Sequence, residues 1–270
     1  MVFENAHMGN IYIETGMKIK LRRAKVVEII RKNKRATVDE LAEVLGISRE
    51  TIRRDLTSLA NSGKIQKVHG GAALPGNFGE GSFQQRMSDN AEAKARIATA
   101  ASKLFFTGET LFVDTGSTTL YFAEKLSEIS DLTIVTNSTE IASAVSSSAS
   151  GNRTFLLGGE FSPGNRQTVG TMVAAQIRSF RAHHTVLTVG ALDGKTGVMD
   201  YNIEEAQLAR AMIEQSEFVT VLIDSSKFNE VASFEVCSLA QIDRLVCDTA
   251  PPDTLGDALA AAGVQVILAP

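Results

Sequence analysis

The chain has 270 residues, with 27 Lys/Arg against 31 Asp/Glu and a formal net charge of −4 at pH 7. Hydrophobic residues make up 44% and charged residues 21%, which excludes disorder as the main state and leaves room for one large domain or two smaller ones. Cys237 and Cys247 make no disulfide framework or zinc spacing and read as buried small hydrophobes. The four histidines match no metal pattern, and no apolar run approaches the ~20 residues of a membrane span.

Residues 1–17 show no sustained periodicity and read either as a disordered extension or as residues ahead of a natural start at Met17. They lack the basic start and apolar core of a signal peptide, so the expected compartment is the cytoplasm. The charge that follows is unevenly spread. Residues 18–75 hold fourteen Lys/Arg and six Asp/Glu, a net of +8. Residues 76–270 hold 13 basic and 23 acidic side chains, a net of −10. A small basic module joined to an acidic domain is the electrostatic footprint of a nucleic-acid binder.

Within the basic module, Leu21, Val26, Val27, Ile29 and Ile30 give an apolar stripe that predicts a helix over 19–32. Thr37-Val-Asp-Glu40 is a capping box opening a second helix, with Leu41, Ala42, Val44 and Leu45 as its buried face and Gly46 as its end. Ser48 caps a third helix running to about Asn61, in which Ile52, Leu56 and Leu59 face inward. Arg49, Glu50, Arg53, Arg54 and Thr57 lie largely off that face, and Thr37, Ser48 and Thr51 join the four charged residues as candidate DNA contacts. Two helices joined around a glycine, the second with exposed Arg, form a helix-turn-helix whose second helix fits the DNA major groove. Arg53 is favoured over Arg54 as the base or phosphate contact, because Glu50 and Arg54 also suit an i,i+4 surface pair. Residues 64–74 suggest a hairpin with a Gly70-Gly71 turn, the wing of a winged helix, carrying Lys64, Lys67 and His69. The bland alternative is a solvated basic helical hairpin.

Residues 76–87, rich in Gly, Asn and Ser, read as a linker. From 88 to 270, helices and short apolar strands alternate, with a first helix over 89–106. Helices follow near 118–127, 139–147, 169–180, 203–216 and 255–262. Strands fall near 110–114, 133–136, 154–158, 185–190, 218–223, 243–247 and 265–268. The pattern predicts a mainly parallel α/β sheet covered on both faces. Ligands bind such sheets at the C-terminal strand ends. There stand Asp114-Thr115-Gly116-Ser117-Thr118-Thr119, Thr136-Asn137, Gly158-Gly159 with Arg166, Gly190, and Asp224 with Lys227. Singly each suits a turn or cap; together they suit a pocket for a small anion beside hydroxyl-binding groups. No Walker or GxGxxG loop is present, so no nucleotide cofactor is expected.

Thr51-Ile-Arg-Arg-Asp-Leu56 with His69-Gly-Gly-Ala72 resembles the DeoR family of bacterial transcriptional regulators. So do the 114–119 loop, Thr136-Asn137, Leu157-Gly-Gly159 and Asp224-Ser-Ser-Lys-Phe228. The resemblance spans nearly all of 20–250. It implies a winged helix-turn-helix domain followed by a domain similar to sugar-phosphate isomerases and CoA transferases. It further implies a repressor of a carbohydrate operon, bound to operator DNA as a dimer or tetramer and released by a phosphorylated sugar. By it, the 114–119 loop, Glu205 and Lys227 would lie at the effector. Lys67 stands where many members carry Arg, and Gln207 where many carry Glu. The alternative is a sugar-phosphate isomerase-like enzyme using Asp114, Glu204, Glu205 and Lys227.

Overall fold

A computed structural model describes residues 19–33, 35–61, 64–68, 70–73, 81–147 and 150–270. The expected extension at 1–17, His69 and the Lys67 side chain lie outside the described residues. The chain divides into two compact units between Ser82 and Phe83.

The first unit contains α1 (Ile19–Asn33), β1 (Arg35–Thr37), α2 (Val38–Leu45), α3 (Arg49–Asn61), β2 (Gln66–Val68) and β3 (Gly71–Ala73). Thr37 caps α2 as its sequence predicts, with Glu40 N donating to Thr37 Oγ1 and Thr37 N to Glu40 Oε2. Val26, Ile30, Leu41, Ile52, Leu56, Leu59 and Ile65 form the core. Leu21 and Val44, expected on buried faces, are exposed. β1 was not expected; at three residues it is too short to show a period. It pairs with β3 to give an antiparallel sheet in the order β1-β3-β2. The approach is so close that a Cβ on Gly71 would stand 2.2 Å from Ala36 O, which explains a glycine there.

One ion cluster ties this unit together. Asp55, on α3, is buried, and its carboxylate accepts from Arg22 Nε (2.5 Å), Arg22 Nη2 (3.2 Å) and Arg23 Nε (2.9 Å) on α1. Burial pushes the Asp55 pKa up, but hydrogen bonds and attraction from the two guanidiniums outweigh it and hold the pKa below the ordinary value. Two cations of the basic module are thereby spent inside the fold.

The second unit contains α4 (Phe83–Ser88), α5 (Ala91–Ser102), β4 (Thr110–Val113), α6 (Ser117–Leu126), β5 (Thr133–Thr136), α7 (Thr139–Ser146) and β6 (Arg153–Leu156). Next come β7 (Glu160–Ser162), β8 (Gln167–Val169), α8 (Thr171–Ile177), β9 (Ala182–Thr188), β10 (Ala191–Asp193), β11 (Gly197–Asp200) and α9 (Ile203–Glu214). The chain ends with β12 (Ser216–Ile223), β13 (Phe234–Cys237), β14 (Arg244–Cys247), α10 (Asp253–Ala261) and β15 (Gln265–Leu268). A 3-10 turn, Ser225–Lys227, follows β12.

Seven parallel strands form the central sheet, ordered β15-β14-β12-β9-β4-β5-β6. Successive residues feed opposite faces. Leu111, Val113, Ile134, Val186, Leu222 and Val246 pack under α5, α6 and α7. Phe112, Val135, Leu187, Val221, Leu245 and Cys247 pack under α8, α9 and α10. Both faces are covered, which is why these strands read as continuous apolar runs. Cys237 and Cys247 are buried thiols, as expected.

Three features depart from expectation. The helix expected over 89–106 is the shorter α5, Ala91–Ser102, which opens after Asn90, whose φ of 54° is left-handed. Residues 83–87, expected as linker, belong to α4. The β7–β8 hairpin and the antiparallel β10-β11-β13 sheet had no expectation, being strands of three or four residues.

Asp55→Asn keeps the shape and removes the charge. It is expected to destabilise the first unit by about 2 kcal/mol, the scale of a hydrogen-bonded charge. Denaturant unfolding of the full chain, followed by amide exchange in α1 and α3, measures this. The contribution of Asp55 is complete above about pH 4 and is lost as pH falls through its lowered folded pKa. Equal stability of variant and wild type at pH 7 would contradict the assignment.

Candidate functional site

Two surfaces carry the polar chemistry, one in each unit. In the first, α3 presents a row of exposed Arg. Arg49 pairs with Asp39 (2.6 Å) and Arg54 with Glu50 (3.3 Å), all exposed. Such surface pairs are worth at most about 1 kcal/mol and open readily to a phosphate. The Arg53 side chain is exposed and has no partner among the described residues. Ser48 Oγ accepts from Thr51 N (3.3 Å) and lies 2.9 Å from Thr51 Oγ1, capping α3. Thr37 is committed to its capping box. Lys64 is exposed after α3.

The second site follows from sheet order. From β4 the chain runs outward through β5 and β6, then returns to β9 on the other side of β4. The loops after β4 and β9 therefore part at the C-terminal edge and leave a crevice. Asp114 ends β4, Gly116 precedes α6, and Thr188 and Gly190 end β9. Gly116 has extended backbone, and a Cβ there would stand 1.9 Å from Thr188 Cγ2. The loop is thus drawn against β9, with the N-terminus of α6 at the crevice. Ser117, Thr118 and Thr119 are all buried there. The Thr118 and Thr188 hydroxyls, at 1% and 8% residue exposure, have no hydrogen-bond partner among the described residues.

Around this crevice runs a polar network. Thr115 Oγ1 donates to Asn137 Oδ1 (3.1 Å), and Asn137 Nδ2 donates to Gln167 Oε1 (3.2 Å) and Thr168 O (3.0 Å). Gln167 Nε2 (2.7 Å), Asn165 Nδ2 (2.6 Å) and Asn202 Nδ2 (3.4 Å) all donate to Glu205 Oε1. Asp200 Oδ1 accepts from Asn202 N (2.9 Å). Burial first, then the neighbouring Glu205 and Asp200 charges, push the Asp114 pKa well above its ordinary value, against a hydrogen bond from Thr115 N.

Cations stand at the same edge. Lys227 Nζ donates to Val189 O (2.5 Å), at the end of β9. Lys94 is buried, and burial lowers its pKa to about 8, with Asp224 opposing. Asp224 caps the 3-10 turn and accepts from Asn90 Nδ2 (2.9 Å), which clasps the α4–α5 junction to that turn.

Not every expected residue serves the crevice. Thr136 Oγ1 accepts from Ser138 N within its own turn. Gly158 is closed by Gln176, which accepts from its N (3.1 Å) and donates to its O (2.6 Å). Gly159 permits close packing against Val173 and Val169 O, and Gly190 against the Tyr201 ring. Arg166, expected as an anion donor, pairs instead with Glu140 (2.8 Å). Gln207 is exposed on α9, whereas Glu205 on the same helix is buried in the network, so the Gln207 departure does not alter that carboxylate. Asn165, Gln167, Thr188, Asp200 and Asn202 were missed. Their common signal, polar residues at strand ends and hairpin tips, is legible only once those strands are placed.

Gly116→Ala is expected to cost about 1–3 kcal/mol by overpacking against Thr188. Thr188 is β-branched and cannot turn its methyl aside cheaply. Thr188→Ser deletes that methyl, so the double variant should recover most of the loss in chemical unfolding. A fully stable Gly116→Ala protein would mean the loop is not drawn against β9.

Among the described residues no helix is long and apolar enough to cross a membrane. Residues 22–77 match the family described as DeoR-like helix-turn-helix domain, and residues 89–249 match DeoR C terminal sensor domain. The chain is 31% identical over 252 residues to the Glycerol-3-phosphate regulon repressor of Escherichia coli (strain K12), covering 93% of this chain and 100% of that protein. It is 33% identical over 231 residues to the L-fucose operon activator of Haemophilus influenzae, covering 85% and 92%. Ribose 5-phosphate isomerase A from Methanocaldococcus jannaschii overlays 52% of this chain and 55% of its own, at 16% identity and a TM-score of 0.38. The two matched domains account for both surfaces, an Arg-bearing helix and a crevice at the reversal of a parallel sheet. The chain belongs to the DeoR family of DNA-binding transcriptional regulators and is a regulator rather than an enzyme.

Proposed function

We propose that this regulator represses a carbohydrate-metabolism operon and is released from operator DNA by a phosphorylated sugar. The unit before Phe83 binds DNA and the unit from Phe83 senses the metabolite. The observation that carries the sensing half is a pair of buried hydroxyls without a hydrogen-bond partner among the described residues, Thr118 in the first turn of α6 and Thr188 at the end of β9 beside it. Buried polar groups are mostly satisfied in native proteins, and hydroxyls beside a helix N-terminus suit an oxygen-rich anion. Beside them, Asp114, Asn137 and Glu205 suit sugar hydroxyls, and Lys227 suits the phosphate. An acidic surround makes such local donors necessary.

On DNA, α3 lies in the major groove, with Arg53 reading a base or gripping phosphate and Arg49, Glu50, Thr51 and Arg54 beside it. Ser48 and Lys64 stand at phosphates. A homodimer or tetramer matches the two-fold symmetry of palindromic sites. The metabolite acts only if it binds the released conformation more tightly than the DNA-bound one. Support for repression comes from relatives named as repressors, and the relative named an activator supports the opposite sign.

Arg53→Ala is expected to weaken operator binding by about 10- to 100-fold, as loss of a base or phosphate contact does, while metabolite binding persists. Unchanged gel retardation would remove Arg53 from the interface. A thermal-shift screen of triose, pentose and hexose phosphates is expected to give at least one stabilising compound that frees DNA of the gene's own upstream region. A screen without hits would overturn the phosphorylated-sugar reading, and a hit that tightens DNA binding would reverse the sign.

A further inference from the structure

α4 is the first helix of the second unit, and its attachments are of two kinds. Phe83 is buried in the core formed with α5 and α6, and the Tyr121 hydroxyl donates to Met87 O (3.0 Å). The Lys94 ammonium donates to Asp89 O (2.8 Å) and to Arg86 O. These contacts fasten α4 to packed helices. The Arg86 guanidinium, by contrast, reaches the crevice rim: its Nη2 donates to Asn165 Oδ1 (2.8 Å), at the tip of the β7–β8 hairpin. Asn165 Nδ2 in turn donates to Glu205 Oε1. Side-chain hydrogen bonds thus run without a break from Thr115 through Asn137, Gln167, Glu205 and Asn165 to Arg86.

The weak point of this series is identifiable. Glu205 Oε1 already receives three amide donors, more than its two lone pairs hold well. A metabolite hydroxyl donating there must displace one. Gln167 is held in β8, and Asn202 is held as the cap of α9 by Glu204 N. Asn165 sits in the hairpin turn, next to Arg166 with its left-handed φ of 51°. It is the one of the three donors whose other side-chain atom holds α4, so displacing it moves the acceptor on which Arg86 rests.

We infer that Asn165 and Arg86 are positioning residues that transmit occupancy of the crevice to α4, the helix that follows the DNA-binding unit in the chain. This rests on the sensing role proposed above. Displacement of one hairpin turn is a discrete local event of the kind that biases a switch.

Two measurements on the full chain test it. Without small molecules, Asn165→Ala should speed amide exchange at residues 83–88 and leave residues 117–126 unchanged; unchanged exchange at 83–88 overturns the link. In the second, ribose 5-phosphate, fructose 6-phosphate and glycerol 3-phosphate are titrated against labelled operator. The wild type should lose about 10-fold or more in DNA affinity with an active compound, a typical coupling. Arg86→Lys should keep the thermal shift from that compound, and both Arg86→Lys and Asn165→Ala should keep basal operator affinity within about 2-fold, yet lose most of the coupling. A wild-type coupling in both variants overturns the inference. If no compound acts on the wild type, the sensing reading fails, and the exchange measurement still decides whether Asn165 holds α4.

Discussion

All strands of a parallel sheet end at one edge, so the pair at which chain order reverses must send its loops apart. In this protein that pair is β4 and β9. The reversal puts Asp114 and the start of α6 on one side of a crevice and Thr188 with Gly190 on the other. Gly116 lets the two sides meet at a distance no other residue allows. Burial of Asp114, the hydroxyls of α6 and the position of Lys227 against Val189 O all follow from that geometry.

Charge is handled differently in the two units. The sensor crevice gathers Asp114, Asp200 and Glu205, and the repulsion helps to keep Asp114 protonated to higher pH than an ordinary carboxyl. Amide donors from Asn165, Gln167 and Asn202 offset the carboxylate at Glu205. The arrangement gathers carboxylate acceptors in one network, with Lys94 and Lys227 at the same edge of the sheet. The basic unit, with its net of +8 over residues 18–75, offers less to DNA than that number suggests. Arg22 and Arg23 are occupied by Asp55, and Arg49 and Arg54 carry exposed acidic partners. Arg53 stands out because its charge has no partner among the described residues.

Local signals in the sequence were reliable where the interaction they report is itself local. The capping box at Thr37 and Glu40, the cap at Ser48 and the Ile52, Leu56, Leu59 face involve residues within a few positions of each other. The central strands were legible as short apolar runs, the five inner ones being buried on both faces and the edge strands β6 and β15 only partly buried. Assigning function to strand-end residues went less well. Asn137 and Glu205 meet in one network through Gln167, but Gly158, Gly159 and Thr136 serve packing and turns, and Arg166 turns to Glu140. A polar residue at a strand end looks the same in sequence whether it caps a turn or faces a crevice.

The sequence alone determined the two-part organisation, the helix-turn-helix, the parallel α/β class and the loop at 114–119. Periodicity, caps and charge segregation are properties of neighbouring residues. The tertiary structure decided which strand ends face one another. It brought Asn165 and Arg86, 79 positions apart, into contact and formed α4 in a segment that reads as linker. It also consumed Arg22 and Arg23 through a carboxylate on another helix. Those outcomes depend on sheet register and hairpin placement, long-range pairings that leave no period in the chain.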